Sequence, residues 1–243
     1  MIGFEQKLPG YAVLLVGILA ASRGNKQYFC EIAVLAGCIA FLGIVPIGTD
    51  IRIGHATVMF IAMWVLLLVP FFVFRDVFKE KAIAYKWRGT PRWTRVHLAY
   101  FVIVVILAYL FIPFYLVHSG VYLNWPAATD LDKTVRLFIG TNLLGLWDEL
   151  FFVCTVLTIL RRQLPFTVAN IFMSMVFSSF LYDLGFRSWG IFVVIIFTLL
   201  QGYIYKQTKS LPFVVAIHLT FDLILFFALI NAHQPERFNF FLV

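Results

Sequence analysis

Apolar stretches of membrane-spanning length follow one another along nearly the whole chain. They run from Leu8 to Ala21, Tyr28 to Ile47, His55 to Phe74, Val96 to Val117, Thr134 to Leu160, Pro165 to Leu184, Trp189 to Tyr205 and Leu211 to Ile230. A periodic apolar window of roughly 18 or more residues is long enough to cross hydrocarbon as a helix, and the first of these is short for that purpose. Globular domains are about 45 to 50% apolar; this chain is 62% hydrophobic, with 13% charged residues and a mean hydropathy of +0.94. The expected fold class is an all-α polytopic membrane protein, a bundle of about eight transmembrane helices. No Gly-, Ser- or Pro-rich linker and no repeat divides it, so it reads as a single membrane domain.

The basic residues orient that bundle, because cytoplasmic loops hold the excess of Lys and Arg. Alternate loops carry Arg23 and Lys26; Arg75, Lys79, Lys81, Lys86, Arg88, Arg92 and Arg95; Arg161 and Arg162; and Lys206 and Lys209. These loops hold most of the 19 basic residues and most of the net charge of +7. The expectation is an integral multi-pass protein of the plasma (inner) membrane with both termini outside. Leu19-Ala20-Ala21-Ser22 is a passable cleavage context for a signal peptide, but Arg23 and Lys26 follow the apolar core rather than precede it, which favours a retained helix. The polar stretch from Arg75 to Arg95, with Tyr85, Trp87 and Trp93, suits a segment lying on anionic headgroups or a plain orientation signal. It is too short for a soluble nucleic-acid-binding domain, and no such partner is expected. Cys30, Cys38 and Cys154 lie in apolar spans without CxxC spacing, the pattern of packing residues. Glu31, near the inner end of its span, is expected to reach headgroups or pair with Arg23 or Lys26.

Polar residues gather in the second half, where chemistry is expected. Asp148 and Glu149 stand together near the middle of the fifth apolar stretch. A carboxylate there costs at least about 2.5 to 3.5 kcal/mol, which makes it a functional-site hypothesis by default. Asn142 is seven residues before Glu149 and falls close to its face, while Asp148 points about 100° away, so the two carboxylates are not expected to share one pocket equally. On the eighth stretch His218 and Asp222 stack one turn apart. At about 1.5 Å per residue, Glu149 lies roughly 17 Å from its cytoplasmic helix end and His218 roughly 10 Å from its own, so both are expected to open onto a cavity reached from the cytoplasm. A carboxylate and an imidazole so placed can activate a water and polarise a carbonyl, which is hydrolysis; they can equally form an ion pair tying two helices. There is no HExxH or GxSxG motif. His218 is the one histidine at depth, so neither a metal nor another cofactor is expected.

The run Asp148-Glu149, three residues, Val153, then Arg161-Arg162 closing the helix, resembles the first motif of the CAAX-processing and bacteriocin-processing (CPBP) family of intramembrane endopeptidases, which has Glu-Glu, three residues and Arg. The stretch from Gly202 through Ser210-Leu211-Pro212 to His218-Leu219-Thr220-Phe221-Asp222 resembles its last motif, His, three residues, Asn or Asp. The resemblance covers about residues 140 to 230. It departs at the family's middle motif, Phe, three residues, His: from Phe177 the histidine position falls on Leu181, with Tyr182 or Asp183 as substitutes nearby. The resemblance implies a glutamic-type peptidase with Glu149 as general base, Asp148 as orienting acid, and His218 with Asp222 on the oxyanion side. Its substrate would be a membrane-associated or lipidated protein or peptide.

Three alternatives stay open: a non-catalytic relative gripping a membrane protein partner, acyl transfer on a lipid or lipoprotein, and a proton-relaying transporter. Geometry separates them. Hydrolysis asks for Glu149 and His218 within one water of each other beside an open cavity, a scaffold for direct contact or separation in a dry interior, and acyl transfer for a lateral alkyl groove beside the same residues.

Overall fold

A computed structural model describes residues 7–88, 92–236 and 241. Eight helices follow one another: α1 (Lys7–Ala21), α2 (Lys26–Leu42), α3 (Ile53–Val77), α4 (Arg95–Ser119), α5 (Leu131–Arg161), α6 (Phe166–Asp183), α7 (Gly190–Thr208) and α8 (Leu211–His233). The all-helical bundle expected from the apolar windows is present. From α3 onward the six helices are long and apolar enough to cross a membrane. α1 and α2, with 15 and 17 residues, fall short of the roughly 20 needed to span a bilayer upright. The second apolar window runs to Ile47, but its helix stops at Leu42 against the backbone of Gly43.

Local chemistry sets the boundaries. The Asn25 side chain accepts from the Tyr28 amide to open α2, Thr94 and His97 form a reciprocal capping box on α4, and Asp130 accepts from the Lys133 amide at the start of α5. Pro212, in the first turn of α8, needs no amide partner there.

α5 is the axis of the bundle. Of its apolar window 78% is buried, against 28 to 33% for α3, α4 and α7, whose outward faces carry Val58, Ile61 and Trp64 or Ile103, Ile106 and Leu110. In water such faces would be costly; in hydrocarbon they are the solvent-exposed surface. α8 packs on both α4 and α5, and α6 on α7. The chain after α3 has no regular structure from Phe78 to Thr94 in its described part, and it folds back under the bundle. There Ile83 is buried, Tyr85 stacks on Phe71, and the Tyr85 hydroxyl meets that of Thr155 at 3.1 Å.

Glu31 finds a different partner from the one expected. Its carboxylate is wholly buried and accepts from Arg162 Nε at 2.8 Å, Gln163 Nε2 at 2.9 Å and Gln27 Nε2 at 3.2 Å. Arg162 also pairs with Glu80 at 2.5 Å. The correction is one of topology: the C-terminal end of α5 lies against α2 and outcompetes Arg23 and Lys26, which are nearer in sequence but exposed on the surface.

Candidate active site

Asp148 ends the regular α-helical part of α5, and Glu149 opens an eight-residue π-helical segment, Glu149–Val156. Such wider turns are rare and frequently mark functional sites. Every residue of the segment is buried. Thr155 helps hold the wide turn by donating its hydroxyl to the Leu150 carbonyl, five residues back, at 3.0 Å. One residue before the carboxylates, Trp147 donates its indole N–H to the Met63 carbonyl at 2.7 Å, pinning the segment to α3.

α8 supplies the imidazole. Ser210 and Leu211 are each 1% exposed, so this helix starts inside the protein rather than at its surface. That recess is why His218 and Glu149 meet although they lie at unequal distances from their own helix ends. His218 Nδ1 is 2.8 Å from Glu149 Oε1, and its Nε2 faces Asp148 Oδ2 at 3.8 Å and Asp222 Oδ1 at 4.0 Å. With Glu149 ionised, the hydrogen-bond network places the ring proton on Nδ1 and leaves the Nε2 lone pair toward Asp148 and Asp222. Phe177 and Phe197 enclose the ring, with centroids 6.0 and 5.2 Å away.

The structure brings all four central residues, Asp148, Glu149, His218 and Asp222, to one place. The angular divergence of the two adjacent carboxylates holds, but its consequence differs from expectation: the imidazole is wide enough to meet Glu149 on one edge and Asp148 on the other. Close approach of α8 depends on Gly145, where a Cβ would collide with the Asp222 carboxylate and crowd the His218 ring. Gln201 of α7 was not among the expected site residues. It donates to Glu149 Oε1 at 2.7 Å and to the Val214 carbonyl at 3.2 Å. Its signal in the sequence is an amide inside an apolar run, beside Gly202.

Three expected residues stand elsewhere. Asn142 is half-buried and donates to the Phe138 carbonyl of its own helix at 2.8 Å, because the buried stripe of α5 runs through Leu137, Thr141, Leu144 and Asp148 and leaves Asn142 beside it. Tyr182 and Asp183 lie at the C-terminal end of α6, Tyr182 under the Arg187 guanidinium, and neither lines the site. Leu181, at the histidine position of the middle motif, does line it. Val153, at the motif arginine position, is fully buried.

A cavity of about 90 Å³ adjoins the imidazole. Gly145, Asp148, His218 and Asp222 line it with Leu181, Phe197 and, toward the loops, Trp125 and Phe186, whereas Glu149 and Gln201 do not. It therefore lies toward the loops poor in basic residues, not toward the cytoplasmic opening expected. The reason is the π segment: Phe151, Phe152 and Val156, all fully buried, fill the bundle on the other side. Asp148 Oδ1, Asp222 Oδ2 and Glu149 Oε2 are buried without a hydrogen-bond partner among the described residues. Direct contact of Glu149 with His218 is what a scaffold would show; the adjoining cavity is what a hydrolase needs. Among the described residues no group of three or more His, Cys, Asp or Glu side chains is arranged to hold a metal ion.

Residues 130–224 match the family model described as Rce1-like, type II CAAX prenyl endopeptidase Rce1-like. No curated protein and no solved structure matches the chain. The matched segment runs from the cap of α5 into α8 and contains Asp148, Glu149, Gln201, His218 and Asp222.

Proposed function

We propose, from the match of residues 130–224 to the Rce1-like endopeptidase family model and from the geometry around His218, that this integral membrane protein hydrolyses a peptide bond in a membrane-associated or lipidated protein or peptide. The observation that carries the reading is a buried imidazole facing three carboxylates, each with one buried oxygen that has no hydrogen-bond partner among the described residues, beside a cavity. The roles follow from what faces that cavity. Glu149, behind the ring and braced by Gln201, orients His218 through Nδ1 rather than activating water itself. Asp148 and Asp222 face Nε2 across 3.8 and 4.0 Å and border the cavity with it, where they hold the nucleophilic water. His218 takes its proton, and the resulting imidazolium faces the developing oxyanion and returns a proton to the leaving amine. The basic loops support a cytoplasmic placement of the α5 and α7 C-terminal ends in the plasma membrane, and an even number of crossings keeps both termini on the outer side.

The experiment uses the full chain in its native membrane, reading the termini of membrane peptides by mass spectrometry with and without the protein. Glu149→Gln and His218→Ala are expected to abolish processing, by at least roughly 100-fold, while insertion is unchanged. Unaltered processing in both variants overturns the reading. A second reading, a non-catalytic relative that grips a membrane protein, is favoured by the direct Glu149 to His218 bond and by the hydrocarbon residues at positions 153 and 181. Acyl transfer is less well supported: the larger apolar groove, of about 460 Å³ between α3 and α5, is lined by none of Asp148, Glu149, His218 and Asp222.

A further inference from the structure

At the end of the bundle away from the site cavity, a concavity of about 670 Å³ opens between the chain after α3 and the C-terminal ends of α5 and α7. Five of its lining residues are cationic, Lys81, Lys86, Arg161, Lys206 and Lys209, and none is acidic. Among the described residues none of the five makes an ion pair, whereas the adjacent Arg162 is committed to Glu31 and Glu80. Like charges drawn into one concavity repel each other and raise the local potential for an anion.

Two features distinguish this arrangement from charges scattered to orient a membrane protein. Arg161 and Lys206, from different helices, share one ring: Phe166 lies 5.3 Å from the Arg161 guanidinium carbon and 4.3 Å from Lys206 Nζ, so cation–π contact holds both in place. Lys209 closes α7 in the left-handed conformation, with φ of 50°, where glycine or asparagine is ordinarily found. An orientation signal needs neither a shared ring nor a lysine at a strained position.

We propose that this concavity binds phosphate, presented as the headgroup of an anionic lipid in the adjoining leaflet. Trp87 and Trp93, about half exposed on the same segment, set that segment at headgroup depth, where indole rings prefer to lie. Leu157 and Phe166 give the wall an apolar portion for the glycerol end of such a lipid. The site is separate from the imidazole cavity, and the inference does not rest on peptidase activity.

The test uses the detergent-purified full chain with soluble dihexanoyl phosphatidic acid, with dihexanoyl phosphatidylcholine as the zwitterionic control and inorganic phosphate alone as competitor. Binding is measured by titration and by retention in native mass spectrometry. Replacing Lys81→Gln, Lys206→Gln and Lys209→Gly together is expected to weaken phosphatidic acid binding about 100-fold and to flatten its salt dependence. Lys133→Gln, at the other end of the bundle, is expected to leave it unchanged. Lys209→Gly alone is expected to weaken binding while holding or raising thermal stability, because glycine relieves the backbone, so a loss of binding cannot be ascribed to misfolding. Competition by inorganic phosphate at equal concentration assigns the site to the free anion, and retention of lipid against it assigns the headgroup. Equal affinity in the triple variant and in Lys133→Gln overturns the proposal, as does equal binding of the two lipids.

Discussion

Gly145→Ala tests the geometry of the site without touching a polar group. In a helix interior the change from glycine is worth about 1 kcal/mol in favour of alanine. Gly140, one and a half turns earlier on α5, has nothing within 4 Å of where a Cβ would stand, so Gly140→Ala is expected to show that gain alone. At Gly145 the new methyl would meet the Asp222 carboxylate and the His218 ring edge. Overpacking of this kind costs about 1 to 3 kcal/mol, so Gly145→Ala should come out about level with the parent or up to about 2 kcal/mol less stable, and clearly below Gly140→Ala. The obstacle is mainly the carboxylate, so Asp222→Ala should relieve it. The double variant is then more stable than the sum of its singles by about 1 to 2 kcal/mol. The assay is equilibrium unfolding in mixed micelles followed by circular dichroism. Additivity within about 0.5 kcal/mol, or a Gly145→Ala variant as stable as Gly140→Ala, refutes the claim that α5 and α8 meet at this glycine.

Three further outcomes are expected. Glu31→Ala strands Arg162 and should cost about 2 to 3 kcal/mol, under the roughly 3 to 5 kcal/mol of a wholly buried pair because the Arg162 side chain is 28% exposed; the same unfolding assay checks it. The Lys133 amide and ammonium hold the Asp130 carboxyl below its ordinary value of 3.8, so its contribution is present above that pH and lost as pH falls through the lowered value. Asp130→Asn, which keeps the cap, should therefore lose less stability than the parent as the pH is taken below 3.8. Burial pushes the Tyr85 phenol from 10.0 up to about 12; folding is thus progressively opposed as pH rises from 10 through about 12, and Tyr85→Phe should flatten that limb in an alkaline titration followed at 295 nm.

The sequence makes the bundle legible because hydrocarbon imposes a length and a composition on each crossing, and α3 to α8 obey both. It makes Glu149 and His218 legible because charge and imidazole are costly at that depth. What it hides is set by contacts between helices. The heptad spacing that relates Asn142 to Glu149 holds in the sequence, yet the stripe of α5 that is buried runs through Leu137, Thr141, Leu144, Gly145 and Asp148, and Asn142, six positions ahead of Asp148, lies beside it. The inner-to-outer placement of the cavity was equally hidden, since counting residues from helix ends assumes that helices begin at the surface, and α8 begins at a buried Leu211. Gln201 is hidden because an amide in an apolar run carries no spacing signal until its partner on another helix is known.

The two buried carboxylate clusters of this protein differ in a way that bears on function. Glu31 is saturated: one oxygen accepts from Arg162 and Gln27, the other from Gln163. That is how a structural polar cluster offsets the cost of its burial. Around His218, three carboxylates face one imidazole and one amide, and an oxygen of each of Asp148, Glu149 and Asp222 accepts nothing. If tying α5 to α8 were the whole purpose, apolar residues of similar volume at 148 and 222 would serve as well or better. Of the three carboxylates, Asp148 and Asp222 border a cavity lined mainly by apolar side chains, where a water or the N–H group of a peptide would meet acceptors that the chain itself leaves open.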